Sequence, residues 1–133
     1  MRRVLLVEDS TSMRAFVRAA LASSTVLGKL EIAEAQSGFD ALRLLPRGAW
    51  DLVITDINMP DINGLELISF IRKNEAHKAI PILIISTASS ERDRERGMTL
   101  GASGYLVKPF TAEALVQHAL EQMGAASASG AHG

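Results

Sequence analysis

The chain alternates between short hydrophobic runs and longer segments in which hydrophobic residues recur every three or four positions. The runs VLLV, LVIT, ILII and YLV occupy residues 4–7, 52–55, 82–85 and 105–107. Because these runs are continuous and contain no regular polar alternation, they predict strands that are covered on both faces. A fifth segment, LEIAEA at residues 30–35, does alternate and predicts an edge strand.

Helical periodicity fills the segments between the predicted strands. Hydrophobic stripes begin near Met13, Gly64 and Ala112, and a shorter stripe of Phe39, Leu42 and Leu45 ends at Pro46. Hydroxyl side chains that can act as N-caps stand before three of these helices, at Ser10 or Ser12, at Ser37 and at Thr111.

The segment at residues 89–102, SSERDRERGMTLGA, predicts a helix of unusual composition. Residues 91–96 are all charged, and Met98 and Leu100 are its main hydrophobic anchors. One interpretation is a solvated helix with charge pairs four residues apart. The other is a loosely anchored helix that can shift, as a molecular switch requires.

Fivefold alternation of strand and helix predicts an α/β fold, with a doubly wound five-stranded parallel sheet and helices on both faces. A length of 133 residues fits one domain. We expect this domain to span residues 1–123, followed by a disordered tail at 124–133, GAASASGAHG.

Composition narrows the functional classes. A net charge of −1 gives no reason to expect binding to nucleic acid or to an anionic membrane. The absence of cysteine excludes disulfides, thiolate metal sites and cysteine nucleophiles. No hydrophobic stretch is long enough to span a bilayer, and we expect a cytoplasmic protein.

Chemically active side chains follow the predicted strands at their carboxyl ends, where open parallel sheets place their functional sites. Carboxylates, an amide, hydroxyls and an amine stand there: Glu8 and Asp9, Asp56 and Asn58, Ser86 and Thr87, and Lys108 before Pro109. Three carboxylates at one edge are unfavourable unless cations neutralise them. Lys108 supplies one charge, and the hard oxygen ligands suit Mg²⁺. With Mg²⁺ present, a carboxylate could accept a phosphoryl group that the lysine and a hydroxyl hold.

Four motifs, VLLVEDS, TDINMPDINGLEL, PILIIS and GASGYLVKPF, together resemble the receiver domain of two-component response regulators. The resemblance is closest to the single-domain chemotaxis CheY-like type and covers residues 3–123. It implies the flavodoxin/CheY-like strand order 2-1-3-4-5.

The resemblance also implies a role for each site residue. Asp56 is the expected phospho-acceptor and a metal ligand, Asp9 a direct Mg²⁺ ligand, Glu8 a ligand through water, and Asn58 a ligand through its backbone carbonyl. Lys108 is expected to hold the phosphoryl group and to precede a cis peptide at Pro109. Ser86, 22 residues before Lys108, is the expected switch hydroxyl in preference to Thr87. Tyr105 is the expected aromatic residue that changes rotamer.

Three positions depart from the chemotaxis pattern. The acidic pair is Glu-Asp in place of Asp-Asp, Ser86 replaces the commoner threonine, and Ala88 is small where an acidic side chain is usual. Asn58 and Ala88 bear on the lifetime of the phosphoryl group.

The resemblance implies a stand-alone, monomeric signalling switch that is not an enzyme in the usual sense. It would catalyse only its own phosphorylation and dephosphorylation, with a histidine kinase as phosphodonor. With no output domain in the chain, its readout would be binding to a downstream protein.

Other functions fit parts of the pattern. A phosphate sink, or an interaction scaffold that works without phosphorylation, would use the same fold. A Mg²⁺-dependent phosphatase or phosphotransferase would more often carry Asp-x-Asp after the first strand, and would need a cap over its substrate. A flavodoxin-like nucleotide binder would need a phosphate loop rich in donors, which the acidic edge opposes.

Overall fold

Strands and helices alternate along the whole chain. A computed structural model describes the backbone of residues 1–87 and 91–132 and the side chains up to residue 124 within those ranges. The elements are β1 Arg2–Val7, α1 Thr11–Ala22, β2 Leu30–Ala35, α2 Gly38–Leu44, a 3₁₀ turn Leu45–Arg47, β3 Leu52–Thr55, α3 Gly64–Lys73, β4 Ile82–Ser86, α4 Glu91–Leu100, β5 Gly104–Val107 and α5 Ala112–His132.

The strands form one parallel sheet in the order β2-β1-β3-β4-β5. This order confirms the predicted doubly wound α/β fold, and it confirms the alternating segment as an edge strand, β2. The chain turns back at β1, since β2 and β3 lie on its two sides. Functional groups in such sheets gather where the strand order reverses, at the carboxyl ends of β1 and β3.

Two hydrophobic clusters cover the two faces of the sheet. Leu5 and Val7 of β1 belong to the cluster beneath α2 and α3, whereas Val4 and Leu6 belong to the one beneath α1 and α5. Because successive side chains of a strand point to opposite faces, a strand buried on both sides must be hydrophobic at every position. This accounts for the uninterrupted runs in the sequence.

Helix α4 contacts the sheet through a glycine, and its expected hydrophobic anchors point elsewhere. Met98 is 43% exposed and Leu100 is 37% exposed, so the prediction that they anchor the helix is wrong. Gly97 is the buried residue of α4, and a β-carbon there would lie 2.5 Å from Cδ1 of Ile84. The helix therefore lies close to the sheet at the one position without a side chain.

Helix α2 shows the same preference for small residues at the interface. Phe39 is 63% exposed, which contradicts its predicted place in the hydrophobic stripe. Leu45 of the predicted stripe is buried as expected, and Gly38 and Ala41 are buried in place of Phe39. These positions share one helical face, and a β-carbon at Gly38 would lie 2.5 Å from the carbonyl oxygen of Ile62. The loop between β3 and α3 therefore closes over the start of α2.

The predicted N-caps are confirmed. The hydroxyls of Ser10, Ser37 and Thr111 accept hydrogen bonds from the backbone N–H groups three residues later, at 3.2, 3.1 and 3.1 Å. Of the two alternatives before α1, Ser10 is the cap.

The backbone of α5 is helical to His132, across most of the segment predicted as a disordered tail, 124–133. Alanine is the residue most favourable to helices, and it recurs in this segment. Side chains from residue 125 onward lie outside the described residues, and the boundary at residue 123 stays a prediction. Among the described residues, no helix is both long and hydrophobic enough to span a membrane.

Candidate functional site

The residues that follow β1, β3 and β5 are held by extensions of the sheet ladder. The N–H of Glu8 donates to the carbonyl of Ala35, at 3.0 Å, and the N–H of Asp56 donates to that of Val7, at 3.1 Å. The N–H of Lys108 donates to the carbonyl of Ser86, at 2.8 Å. Each functional side chain therefore starts from backbone that is fixed one residue beyond its strand.

Three carboxylates converge at this edge. Glu8, Asp9 and Asp56 each place a carboxylate oxygen within 4.8 Å of the others. Glu8 is fully buried and Asp56 is 7% exposed, whereas Asp9 is exposed to solvent. Hard oxygen donors at this spacing, open to water on one side, fit a magnesium ion that keeps part of its water shell.

Lys108 lies beside the two buried carboxylates. Its Nζ donates to Oδ2 of Asp56 at 3.1 Å and also contacts Oε1 of Glu8. The other oxygen of Asp56, Oδ1, accepts the N–H of Ile57 at 2.7 Å. Both oxygens of Asp56 are therefore held in place, and one of them faces a cation.

Burial and neighbouring charges shift the pKa values of both Glu8 and Lys108. Burial raises the pKa of the Glu8 carboxyl above its ordinary value, although hydrogen bonds from Lys108 and from the N–H of Ser10 oppose the shift. Burial alone would lower the pKa of Lys108, but the hydrogen bond to Glu8 and the charges of Asp56 and Glu8 outweigh it, so the pKa is raised. Lys108 therefore stays charged next to the acceptor.

A hydroxyl and an aromatic side chain connect the site to β5. Ser86 is fully buried at the end of β4, whereas Thr87 is exposed. Burial raises the pKa of the Tyr105 hydroxyl, the nearby charges of Asp93 and Asp56 raise it further, and a side-chain hydrogen bond with Ser86 lowers it. The expected switch pair is therefore in direct contact.

The remaining predicted positions are partly described. Asn58 lies in the loop after Asp56 with its side chain exposed, and its role through the backbone carbonyl stays a prediction. The Lys108–Pro109 peptide bond is cis. Ala88 lies outside the described residues.

Two side chains make contacts at the site that were not predicted from the sequence. The Thr55 hydroxyl donates to the carbonyl of Asp56 at 2.9 Å. The guanidinium of Arg14 donates to the carbonyls of Glu8 and Asp9, at 2.7 and 3.2 Å. Its signal in the sequence is an arginine near the start of α1, five residues after Asp9. Such a residue can fold back over the turn that precedes its helix.

Comparison with known proteins identifies the family. The sequence model of the response regulator receiver domain matches residues 4–120. The chain belongs to this family. It is a CheY-like receiver domain, and such domains are signalling switches of two-component systems. Receiver domains bind Mg²⁺ at an acidic pocket, and Glu8, Asp9 and Asp56 form an acidic cluster in this chain.

Relatives of this receiver domain match it over nearly its whole length. A chemotaxis protein CheY homolog of Campylobacter jejuni is 33% identical, over 97% of this chain and 98% of the relative. The structure of the chemotaxis response regulator CheY4 of Vibrio cholerae is 34% identical with a TM-score of 0.83, covering 92% of this chain and 98% of that one. The phosphorylated cyanobacterial phytochrome response regulator RcpA is 27% identical with a TM-score of 0.77, over 89% of this chain and 88% of that one.

Proposed function

We propose that this receiver domain accepts a phosphoryl group on Asp56 from a phosphohistidine of a histidine kinase, in a reaction that depends on Mg²⁺. The observation that carries the proposal is the position of the Asp56 carboxylate. It is nearly buried, its Oδ2 faces the Lys108 ammonium, and two further carboxylates adjoin it. Family membership supports the same conclusion, and a phosphorylated relative, RcpA, shares the fold.

The transfer is a displacement at phosphorus. An oxygen of Asp56 forms the new P–O bond while the P–N bond to the histidine ring breaks, and the ring nitrogen keeps the electron pair and takes up a proton. Lys108 would donate hydrogen bonds to the incoming phosphoryl oxygens, because its ammonium already lies 3.1 Å from Oδ2 of the acceptor carboxylate. The N–H of Ile57, which donates to Oδ1, keeps the carboxylate oriented during the transfer.

Asp9, Asp56 and the backbone carbonyl of Asn58 would hold the metal directly, with Glu8 acting through water. Bound there, Mg²⁺ supplies positive charge that offsets the repulsion between carboxylates and phosphoryl oxygens. Oε1 of Glu8 contacts Lys108, and its Oε2 accepts the N–H of Ser10 at 3.0 Å. Both carboxylate oxygens therefore already have partners, which suits metal binding through water. The exposed Asp9 carboxylate lies on the solvent side of the cluster, where a cation would bind.

Phosphorylation of Asp56 would change the protein surface through Ser86 and Tyr105. A serine hydroxyl has one hydrogen to donate and two lone pairs. When Ser86 donates to a phosphoryl oxygen, it can only accept from Tyr105, so the Tyr105 hydroxyl must be the donor. This shifts a pre-existing equilibrium toward one tyrosine arrangement. The weakly anchored α4 lies next to it, and the resulting surface would be read by a downstream target protein.

Intact-mass measurement after incubation with acetyl phosphate tests the proposal. We expect one added phosphoryl group with Mg²⁺ present, little without it, and none in Asp56→Asn. The matched control is Asp51→Asn, since Asp51 is an exposed aspartate just before the opposite end of β3 and should leave the adduct intact. A folded protein that forms no adduct with Mg²⁺ would favour a phosphorylation-independent scaffold instead. An adduct with no change in any binding partner would indicate a phosphate sink.

A further inference from the structure

Arg14 connects the turn between β1 and α1, which carries Glu8 and Asp9 and is called the acidic turn below, to the rest of the fold. Its side chain is 15% exposed, and its Nη1 donates to the carbonyl of Glu8 at 2.7 Å and to that of Asp9 at 3.2 Å. Its Nη2 also reaches the hydroxyl of Thr11, at 3.5 Å. One guanidinium therefore contacts three residues between the end of β1 and the start of α1.

Glu34 of β2 fixes this guanidinium from the other side. The Nε of Arg14 lies 3.3 Å from Oε1 of Glu34. Arg18, one helical turn further along α1, lies 2.7 Å from the other oxygen of Glu34 and donates to the carbonyl of Ile32 at 3.0 Å. The two arginines thus share the Glu34 carboxylate, but Arg14 also donates to the turn between β1 and α1, whereas Arg18 donates to Glu34 and Ile32 of β2.

The contacts of Arg14 act on backbone that carries two metal-site carboxylates. A carbonyl held by a guanidinium cannot rotate freely, so the peptide planes after Glu8 and after Asp9 are both restrained. The Asp9 carboxylate is exposed, and its direction depends on this backbone. Groups that orient metal ligands without touching the metal commonly alter affinity by about 10- to 100-fold when removed.

We infer that Arg14 is a positioning residue for the divalent-cation site, acting through the backbone carbonyls of Glu8 and Asp9. The inference rests on the proposed metal role of those residues. It also predicts the direction in which the affinity for the cation changes when Arg14 is replaced. A positive charge near the site would by itself weaken cation binding, so loss of Arg14 tightens binding if charge dominates and weakens it if restraint of the turn dominates. We expect weaker binding.

Isothermal titration of the full chain with Mg²⁺ alone, without a phosphodonor, tests the inference. We expect Arg14→Gln to raise the dissociation constant for Mg²⁺ by about tenfold. Arg18→Gln, which also loses a salt bridge to Glu34, should stay within about twofold of the wild type. Arg14→Lys keeps the charge but cannot reach both carbonyls and Glu34 together, so it should resemble Arg14→Gln.

Each alternative outcome decides between explanations. Tighter binding in Arg14→Gln, or equal effects of the Arg14 and Arg18 variants, would overturn the positioning role. Wild-type affinity in Arg14→Lys would also overturn it, since a side chain that cannot hold both carbonyls would then serve equally well. If the wild type itself bound no Mg²⁺, the proposed metal site would fail first. Should Arg14→Gln not fold, Arg14→Lys, which keeps the positive charge, carries the test alone, with weaker binding expected and wild-type affinity contradicting the inference.

Discussion

Nζ of Lys108 lies 3.1 Å from Oδ2 of Asp56 and contacts Glu8 with the same ammonium group. One cation is thus shared between two carboxylates that are almost completely removed from water. Removing one partner from a buried charge cluster leaves the others without compensation, which is strongly destabilising. Lys108 therefore stabilises the fold as well as serving the proposed transfer.

Lys108→Met should separate these two contributions. Without Mg²⁺ we expect the free energy of unfolding to fall by about 3 kcal/mol, because Glu8 and Asp56 lose their counter-charge. Mg²⁺ should restore a large part of this loss, since the cation neutralises the same carboxylates. Phosphorylation by acetyl phosphate should still be at least about 100-fold slower, because the metal does not replace the contact to the phosphoryl oxygens.

Urea unfolding with and without Mg²⁺ and the rate of adduct formation provide the two measurements. An unchanged stability without metal would show that Lys108 is not the counter-charge of the cluster. A normal phosphorylation rate in the folded variant would remove Lys108 from the proposed mechanism.

Ser86→Ala should uncouple Tyr105 from Asp56 while leaving the acceptor intact. Tyr105 is the only tyrosine of the chain, so 3-fluorotyrosine places a single ¹⁹F probe there. We expect phosphorylation to shift the ¹⁹F resonance in the wild type and in Thr87→Ala, whose side chain is exposed. In Ser86→Ala the adduct should form with little accompanying shift, since the hydroxyl that connects the two residues is gone. Equal shifts in both variants would contradict this coupling.

The sheet and the convergence of the site could be predicted because each follows from a local rule. Short continuous hydrophobic runs between turn-forming residues favour strands buried on both faces, and the carboxyl ends of parallel strands share one edge. Glu8, Asp56 and Lys108 were therefore expected together, although up to 100 positions separate them in the chain.

The helix faces and the arginine contacts could not be predicted in the same way. Hydrophobic periodicity favours the largest side chains, but Gly97 and Gly38 face the interior because they allow close approach. Arg14 has a long side chain that can follow many directions, and only the positions of β2 and the β1–α1 turn determine which one it takes. Such contacts depend on three-dimensional packing and leave little trace in periodicity.

Arg72 stabilises the end of the sheet opposite to the site. It donates to the carbonyls of Gly101, Lys78 and Ile80, at 2.9, 3.0 and 2.7 Å. A lysine cannot make these contacts simultaneously, so we expect Arg72→Lys to lose about 2 kcal/mol in the free energy of unfolding. Lys73→Arg, at the exposed neighbouring position, should change it by less than about 0.5 kcal/mol.

Urea unfolding measures both variants, and the phosphorylation rate should be unchanged in each. A stability equal to that of the wild type would mean that water replaces the arginine contacts at no cost. A slower phosphorylation in Arg72→Lys would show that this end of the sheet influences the site.

Asp61 connects the loop after Asp56 to α2, and its contribution to the free energy of unfolding should depend on pH. Its two carboxylate oxygens accept the N–H groups of Gly38 and Phe39, at 3.0 and 2.9 Å. Desolvation raises the pKa of Asp61, but hydrogen bonds from the backbone outweigh it, so the pKa lies below its ordinary value. A lowered folded-state pKa gives stability that is present above the unfolded pKa, about 3.9, and is lost as the pH falls through the folded value.

Asp61→Asn should therefore unfold at lower urea than the wild type at pH 7, with a smaller difference at pH 3. The reason is that protonation of the wild-type carboxyl removes the charge that the variant lacks at every pH. A difference that stays constant between the two pH values would show that the hydrogen bonds act without the charge.

Trp50 should report on folding but not on the state of the site. Its Nε1 donates to the carbonyl of Leu45 at 3.0 Å, and Cζ of Arg3 lies 4.4 Å from the ring centroid. It precedes β3, whereas Asp56 follows that strand, so six residues of extended chain, about 20 Å, separate them. We expect Mg²⁺ or acetyl phosphate to leave the emission spectrum of Trp50 essentially unchanged.

Arg3→Met provides the positive control for this measurement, because it removes the cation over the ring and should alter the emission without Mg²⁺. Asp56→Asn provides the negative control and should have the wild-type spectrum. A large Trp50 quench on addition of Mg²⁺ would contradict the separation, unless it persisted in Asp56→Asn. In that case the ion would bind near Trp50, and Asp51, the acidic residue next to it in the chain, would be the first side chain to replace.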